Sequence, residues 1–231
     1  MIPGFAESLP IIMIYVCNMA PDMEIPALFA SYRRGELVAS ASWFDGVTPR
    51  RTGGTVPFAD AASSVPRSDE RNPVVVVDCD SLGSHEFREG VVKTMKVRGS
   101  DIWLMTWIET ADDLFDAFNT NAEVVMGPYH ASRSDADLED ILGVSDSFVP
   151  AVFAVGGRAV GRMGKTGDLE RTVSELRRIG FGRICVLDTD RRVSGYTWGN
   201  LSDTVPNLLP FTDRTTSAGI SGTWISPLLL G

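Results

Sequence analysis

Val74-Val75-Val76-Val77-Asp78-Cys79-Asp80 is an unbroken apolar run that ends in Asp-x-Asp. The same pattern returns as Ile184-Cys-Val-Leu-Asp188-Thr-Asp190, 110 residues further along a chain of 231. Apolar runs rich in β-branched residues are typical of strands buried on both faces, as in parallel sheets. A strand motif repeated at about half the chain length predicts a fold built from two similar halves.

Further apolar runs predict six or more other strands. The full set of predicted strands is Ile11–Cys17, Pro73–Val77, Ile102–Met105, Glu123–Met126, Phe148–Val155 and Arg183–Leu187, with weaker ones at Leu208–Thr212 and Gly222–Ser226. Helical patterns lie between them. Their N-terminal capping signals are Thr110 with Asp113, Ser134 with Asp137, and Asp168 before a helix that ends at Gly180; a fourth helix is predicted over His85–Val97.

This alternation of strands and helices predicts a parallel sheet and one α/β domain, a TIM (βα)8 barrel over residues 1–231. Only about 35 residues follow Gly195, so the seventh and eighth units are expected to be degenerate. The stretch after the first predicted strand does not fit the alternation. It predicts a hairpin arm near Glu36–Ser42, a flexible loop through Pro57 and a short helix around Phe58–Val65.

The net charge, the apolar runs and the cysteines indicate which binding partners and which cellular location to expect. The net charge of −9 argues against binding to nucleic acid and against a basic membrane-surface patch. The apolar run Leu9–Cys17 is too short to cross a membrane, and the acidic Glu7 before it is unlike a signal peptide. Three widely spaced cysteines without a C-x-x-C motif are typical of reduced thiols in a cytoplasmic protein. The motifs indicate no cofactor and no metal.

The repeated strand also carries a resemblance. Val74–Gly83 is similar to the Asp-Leu-Asp strand of the HisA/HisF family of histidine biosynthesis, which are (βα)8 barrels of two half-barrels that bind phosphoribosyl compounds. Asp101–Glu109, Glu123–Pro128, Phe148–Arg158 and Ile184–Gly195 resemble the family's third to sixth strands. The resemblance covers about residues 70–195 and implies a HisA-like barrel that acts on a phosphorylated metabolite.

Several positions depart from that family. Its isomerases use an aspartate after strand 1 and another after strand 5, where this chain has Asn18 and Ala154. Neither an amide nor a methyl group exchanges a proton near neutral pH. The glycine-rich turn after strand 3 is replaced by Thr106–Glu109, where the ring of Trp107 and the charge of Glu109 are expected to oppose a phosphate. Any remaining anion site is expected near Gly127. The ordinary isomerase reaction is therefore not expected.

Active sites of such barrels lie at the C-terminal ends of the strands. We expect Asp78 and Asp188 to act as acid and base there, with Asp80 and Asp190 beside them. The alternative is that one acid of each pair caps the loop that follows it. The other candidate ligand-binding residues are Asn18, Trp107, Gly127 and His130. Trp107 and Trp198 are predicted to lie on C-terminal loops, where their rings can stack on a flat ligand; the alternative is that they pack in the core.

Three functions are compatible with these features. The first is a divergent enzyme, isomerase-like or lyase-like, acting on a small anionic metabolite such as a sugar phosphate or a precursor of a one-carbon cofactor. The second is a non-catalytic relative or partner subunit. The third is a retained isomerase whose acids are Asp22 and Asp45. The apolar C-terminus, Pro227-Leu-Leu-Leu-Gly231, is expected to pack on the barrel or in a homo-oligomer.

Overall fold

The computed structural model describes residues 23–65, 73–89, 95–97, 100–212 and 222–228. Within them the strands are β1 (Glu24–Arg33), β2 (Glu36–Asp45), β3 (Thr48–Pro57), β4 (Pro73–Asp78), β5 (Asp101–Met105), β6 (Val124–Pro128), β7 (Phe148–Val155), β8 (Arg158–Val160), β9 (Thr166–Gly167), β10 (Arg183–Asp188), β11 (Asn207–Phe211) and β12 (Trp224–Pro227). The helices are α1 (Phe58–Ser63), α2 (Cys79–Ser84), α3 (Ala111–Phe118), α4 (Asp135–Val144), α5 (Leu169–Ile179) and α6 (Gly195–Thr204).

Eight parallel strands close into a barrel. They follow the order β1-β4-β5-β6-β7-β10-β11-β12, and β12 pairs with β1 to complete the ring. The predicted α/β barrel is confirmed, and seven of its strands lie where the apolar runs predicted them. The first barrel strand is β1, whereas the predicted first strand, Ile11–Cys17, lies outside the described residues.

The barrel wall separates two apolar layers. Along β4, Val75 and Val77 point into the barrel interior, and Val74 and Val76 pack outward against the helices. Both layers are fully excluded from solvent along this strand. A strand buried on both faces has no polar side to show in its sequence, which explains the unbroken valine run.

The helix signals in the sequence are mostly confirmed. Thr110 and Ser134 each form a capping box, with Asp113 and Asp137 respectively, and Asp168 caps α5. The helix predicted to begin at His85 is wrong at its start. His85 ends α2, in a left-handed conformation with φ 58°, because the helix begins directly after β4 under the Asp78 cap. Residues 90–94 of that prediction lie outside the described residues.

The hairpin arm predicted near Glu36–Ser42 is confirmed as β2, which pairs antiparallel with β1 across the turn Arg34-Gly35. Both turn residues have positive φ, 52° and 89°, and this twist joins two antiparallel strands tightly. The predicted flexible loop through Pro57 is wrong, because those residues form β3, which pairs antiparallel with β2 on both sides of a register shift. The short helix that follows is confirmed as α1.

The hairpin of β2 and β3 crosses the C-terminal mouth of the barrel. Phe44 packs against inward-facing rings of three barrel strands, with its centroid 5.5 Å from Phe29, 5.2 Å from Phe153 and 6.1 Å from Phe211. Trp43 donates its indole N–H to the carbonyl of Thr189, at 2.8 Å. We call Trp43 and Phe44 the aromatic plug. It fills the space that the strand ends surround.

The aromatic plug is expected to contribute strongly to stability. Phe44 is 5% exposed, so Phe44→Ala leaves a cavity among three rings and should lower the free energy of unfolding by about 3–5 kcal/mol. The matched control is Phe115→Ala on α3, where the ring is 62% exposed and the loss should be within about 0.5 kcal/mol. Urea unfolding of the two variants measures the difference. Equal losses would show that the hairpin does not pack in the mouth.

Candidate functional site

Asp78 lies at the C-terminal end of β4 and is completely buried. Its carboxylate accepts the backbone N–H groups of Asp80, at 3.2 Å, and Ser81, at 3.1 Å, so it caps α2. Its second oxygen accepts the hydroxyl of Thr106 at 3.0 Å. Burial raises the pKa of Asp78, and the hydrogen bonds from Ser81 and Thr106 oppose that rise only in part.

Asp188 occupies the corresponding place on β10 and is also buried. It accepts the N–H groups of Arg192, at 2.9 Å, and Val193, at 3.3 Å, and so holds the loop that leads to α6. The residues before both aspartates follow the same alternation: Val77 and Leu187 point into the barrel. Asp78 and Asp188 therefore belong to the outward-facing register of their strands.

The second acid of each pair holds the neighbouring strand. Asp80 accepts the backbone N–H of Tyr32 on β1, and Asp190 accepts the N–H of Gly156 after β7, at 2.7 Å. The two contacts are equivalent in register. Ala30 pairs with Asp78 and Ala154 pairs with Asp188, so each donor lies two residues beyond an alanine opposite the first acid. The sequence repeat is thus a repeated hydrogen-bonding arrangement.

These contacts give all four acids of the repeat a structural role. β4 and β10 are four places apart around an eight-stranded barrel, so Asp78 and Asp188 stand on opposite sides. The described residues contain no group of three or more His, Cys, Asp and Glu side chains placed to hold a metal ion. A catalytic role for Asp78 and Asp188, with Asp80 and Asp190 beside them, stays a prediction.

Substitution of Asp78 separates capping from charge. Asp78→Ala leaves two buried N–H groups without an acceptor and should cost about 2–3 kcal/mol of unfolding free energy. Asp78→Asn keeps one carbonyl oxygen for those N–H groups and removes a buried charge, so it should cost less than about 1 kcal/mol. Urea unfolding at pH 7 measures both. A loss in the Asn variant as large as in the Ala variant would mean that the negative charge itself stabilises the fold.

Gly127 lies in β6, where a side chain would not fit. A Cβ atom there would lie 2.9 Å from Cβ of Ile108 and 3.0 Å from the ring of Phe148. The glycine therefore allows two outer-layer side chains to pack against the strand. The predicted anion contact at Gly127 stays a prediction.

Three rings meet on the rim near β5, β6 and β7. His85 stacks on Trp107 with centroids 4.4 Å apart and planes inclined by 15°. His130 meets the edge of Trp107 at 5.8 Å and contacts Phe153 at 5.5 Å. We call His85, Trp107 and His130 the rim cluster. The sequence predicted that Trp107 and His130 lie at the mouth. It did not predict that His85 joins them.

Two nitrogen atoms of the rim cluster are buried without a hydrogen-bond partner among the described residues, namely Nε1 of Trp107 and Nδ1 of His130. An unpaired buried polar atom costs about 1–3 kcal/mol, so such atoms are uncommon away from functional sites. Burial, with a smaller contribution from the charge of His85, lowers the pKa of His130 from 6.5 to about 4. His130 is therefore a neutral imidazole at pH 7.

Charges near the rim cluster are already paired. Arg133 donates from Nε to Glu109 at 2.7 Å, which places a cation beside the acid after β5. The sequence predicted that Glu109 would repel an anion at this side of the mouth. Because the arginine compensates that charge, the turn after β5 repels an anion less than its sequence indicated.

Other predicted residues fall elsewhere. Asn18 lies outside the described residues, as does Cys17. Trp198, predicted to stack on a ligand, is instead 1% exposed and packs from α6 into the outer apolar layer. Cys79 and Cys185 are free thiols. The plug residues Trp43 and Phe44 were missed, although two adjacent aromatic residues in a stretch interpreted as loop were a signal.

The pKa of His130 predicts a specific loss of stability in acid. Between pH 6.5 and 4 the unfolded chain takes up a proton at this histidine and the native state does not. Stability should therefore fall as the pH falls through this window and level off below about pH 4. His130→Gln should lack this component, and His85→Gln should retain most of it. Urea unfolding at pH 7 and pH 4.5 tests this prediction. If wild type and His130→Gln lose the same unfolding free energy between the two pH values, the prediction is contradicted.

No model of a known protein family matches the chain, and a comparison with curated proteins finds no similar one. Among the residues that the structure describes, no helix combines the length and apolar character needed to cross a membrane. The fold and the rim together define an α/β barrel whose mouth is filled by aromatic side chains and whose rim cluster holds two unpaired buried nitrogen atoms.

Proposed function

We propose that the protein is a divergent, HisA-like barrel enzyme that binds a small anionic metabolite at the rim cluster. The observation that carries the proposal is the pair of unpartnered ring nitrogens, Nε1 of Trp107 and Nδ1 of His130, in adjoining side chains. A bound ligand that supplies partners to both nitrogens removes their desolvation cost, which favours binding at this place over the rest of the rim.

The two nitrogens restrict the ligand's chemistry. The indole N–H of Trp107 only donates, so the ligand atom that faces it must be an acceptor, such as a carbonyl, carboxylate or phosphate oxygen. His130 is neutral and either donates or accepts at Nδ1. A neutral imidazole beside a bound oxygen polarises it by hydrogen bonding or exchanges a proton with it. An isomerase-like or lyase-like proton transfer is the reaction class that these groups suit.

The anionic character of the ligand is supported by the surroundings. His85 covers one face of Trp107 and is exposed to solvent, and Arg133 neutralises Glu109 in the turn that carries Trp107, so that acid does not repel an anion. Both side chains carry donors. The flat face that the rings present also suits a planar or ring-containing metabolite.

A second candidate, a non-catalytic relative or partner subunit, is favoured by the aromatic plug. Phe44 occupies the space on the barrel axis in which enzymes of this fold hold substrate, and Asp78 and Asp188 are bonded to their own loops. On this alternative the rim cluster still binds the metabolite but no turnover follows. Of the two acids that a retained isomerase would use, Asp22 lies outside the described residues, and Asp45 is exposed at the end of β2, 3.9 Å from Arg50. An exposed, ion-paired acid disfavours this third candidate, and no growth is expected when the chain is expressed in a histidine auxotroph lacking the isomerase.

The proposal is tested by removing one donor. Ribose 5-phosphate is the first probe, followed by small carboxylates, and binding is measured by calorimetry and by the indole N–H signals in NMR spectra. Trp107→Phe keeps an aromatic ring and removes the N–H, so it should weaken binding about five- to tenfold, equivalent to about 1 kcal/mol. The matched control is Trp198→Phe, which should leave the dissociation constant unchanged.

The outcomes separate the alternatives. Binding without turnover, lost in Trp107→Phe, would favour the non-catalytic candidate. Equal affinity in Trp107→Phe and wild type would contradict the rim cluster as the binding site. If none of the anionic probes binds, the proposal that the ligand is an anion is contradicted.

A further inference from the structure

A cavity of about 240 Å³ lies on the outer side of the barrel, between α4 and α5. Its apolar side is formed by Leu138, Leu176 and Ile179, which belong to the outer apolar layer. Its polar side is formed by Tyr129, Thr172 and Lys165. We call this space the outer cavity. It is distinct from the rim cluster, and nothing in the proposed function uses it.

The charges around the outer cavity leave a single positive charge uncompensated. Arg162 forms an ion pair with Asp135 at 2.8 Å, so these two charges cancel. Glu175 is similarly paired with Arg171, at 2.9 Å. Lys165 has no ion pair among the described residues. A ligand with one negative charge would balance the cavity, whereas a dianion would lie close to two carboxylates.

Hydrogen-bond donors are also available there. The Nε atom of Arg162 is buried and has no acceptor within the described part of the chain. Burial raises the pKa of Tyr129 and its hydrogen bond with Thr172 opposes that rise only in part, so its phenol keeps its proton. The hydroxyl of Thr172 donates to the carbonyl of Asp168 and is already occupied. The unpaired Nε of Arg162 and the charge of Lys165 therefore both belong to the polar lining of the cavity.

The turn that carries Lys165 has a defined shape. The N–H of Gly161 donates to the carbonyl of Lys165 at 2.6 Å, and Met163 has a positive φ of 58°. A side chain at position 161 would lie 3.2 Å from the hydroxyl of Tyr129. The glycine thus leaves room for the phenol at the cavity entrance, and the closed turn holds Lys165 beside it.

We propose that the outer cavity binds a small amphipathic monocarboxylate, with its hydrocarbon part against Leu138, Leu176 and Ile179 and its carboxylate at Lys165, Tyr129 and Arg162. The apolar wall excludes a purely polar anion as the preferred ligand, because such an anion would leave that wall unfilled. The single uncompensated charge excludes a phosphate dianion. An uncharged alcohol of the same length would leave Lys165 without a counter-ion.

Hexanoate is the probe that tests the proposal, with acetate, 1-hexanol and inorganic phosphate as comparisons. Amide NMR spectra of the full chain locate the site, and titration gives the dissociation constants. Hexanoate should shift the signals of Tyr129, Lys165 and Thr172. It should bind about tenfold or more tightly than acetate, which lacks the buried hydrocarbon.

The charge is tested by Lys165→Met, which keeps an apolar stem of similar length. It should weaken hexanoate binding about fivefold, the effect of one solvent-accessible charge pair, and leave 1-hexanol binding unchanged. Arg178→Met is the matched control, since it removes one positive charge from α5 without touching the cavity lining. It should bind hexanoate as wild type does, and thermal melts confirm that both variants fold.

Four results would overturn the proposal. They are absence of hexanoate binding, equal affinity for acetate, equal affinity for 1-hexanol, and equal effects of Lys165→Met and Arg178→Met. Preferential binding of inorganic phosphate would show instead that the cavity selects charge alone. None of these results depends on the rim cluster, because Trp107→Phe leaves the outer cavity intact.

Discussion

The hydrogen bond from a backbone N–H to the second acid of each Asp-x-Asp pair fixes the upper part of the barrel. Asp80 holds Tyr32, and Asp190 holds Gly156, at the points where β1 and β7 leave the barrel and turn back into hairpins. Beyond Ala30 and Ala154 these strands no longer pair with the neighbouring barrel strand, and N–H groups on that side need other acceptors. A carboxylate on the neighbouring strand supplies that acceptor. The hydrogen bond fixes the strand end, and the hairpin starts from this fixed position.

The direction of the hairpin formed by β2 and β3 determines how much open space is left at the C-terminal mouth of the barrel. Because β2 and β3 cross the strand ends, Phe44 enters the space between Phe29, Phe153 and Phe211, and Trp43 reaches the far side at Thr189. The acids of the repeat face loops and the plug fills the axis. Two of the buried polar atoms that have no partner among the described residues, on Trp107 and His130, lie beside the plug. The proposed binding site lies at the side of the rim because the aromatic plug occupies the barrel axis.

The barrel was predictable because its strands are buried on both faces, and runs such as Val74–Val77 carry that burial in their composition. Barrel strand β1 was not predicted for the same reason: β1 mixes buried residues with an exposed end, and Ile11–Cys17 is the more apolar run. The site was less predictable. Aspartates at strand ends serve catalysis and capping with the same spacing, and only the positions of the N–H groups around Asp78 and Asp188 distinguish these roles.

One short turn connects the two proposed binding regions. Tyr129 and His130 are successive residues of a 3₁₀ turn after β6, with ring centroids 6.4 Å apart, yet one lines the outer cavity and the other belongs to the rim cluster. Their separation across the barrel wall follows from the backbone position of β6. That position depends on Gly127, since a larger residue would push the strand away from Ile108 and Phe148. A substitution at Gly127 would therefore displace the backbone that leads directly into both regions.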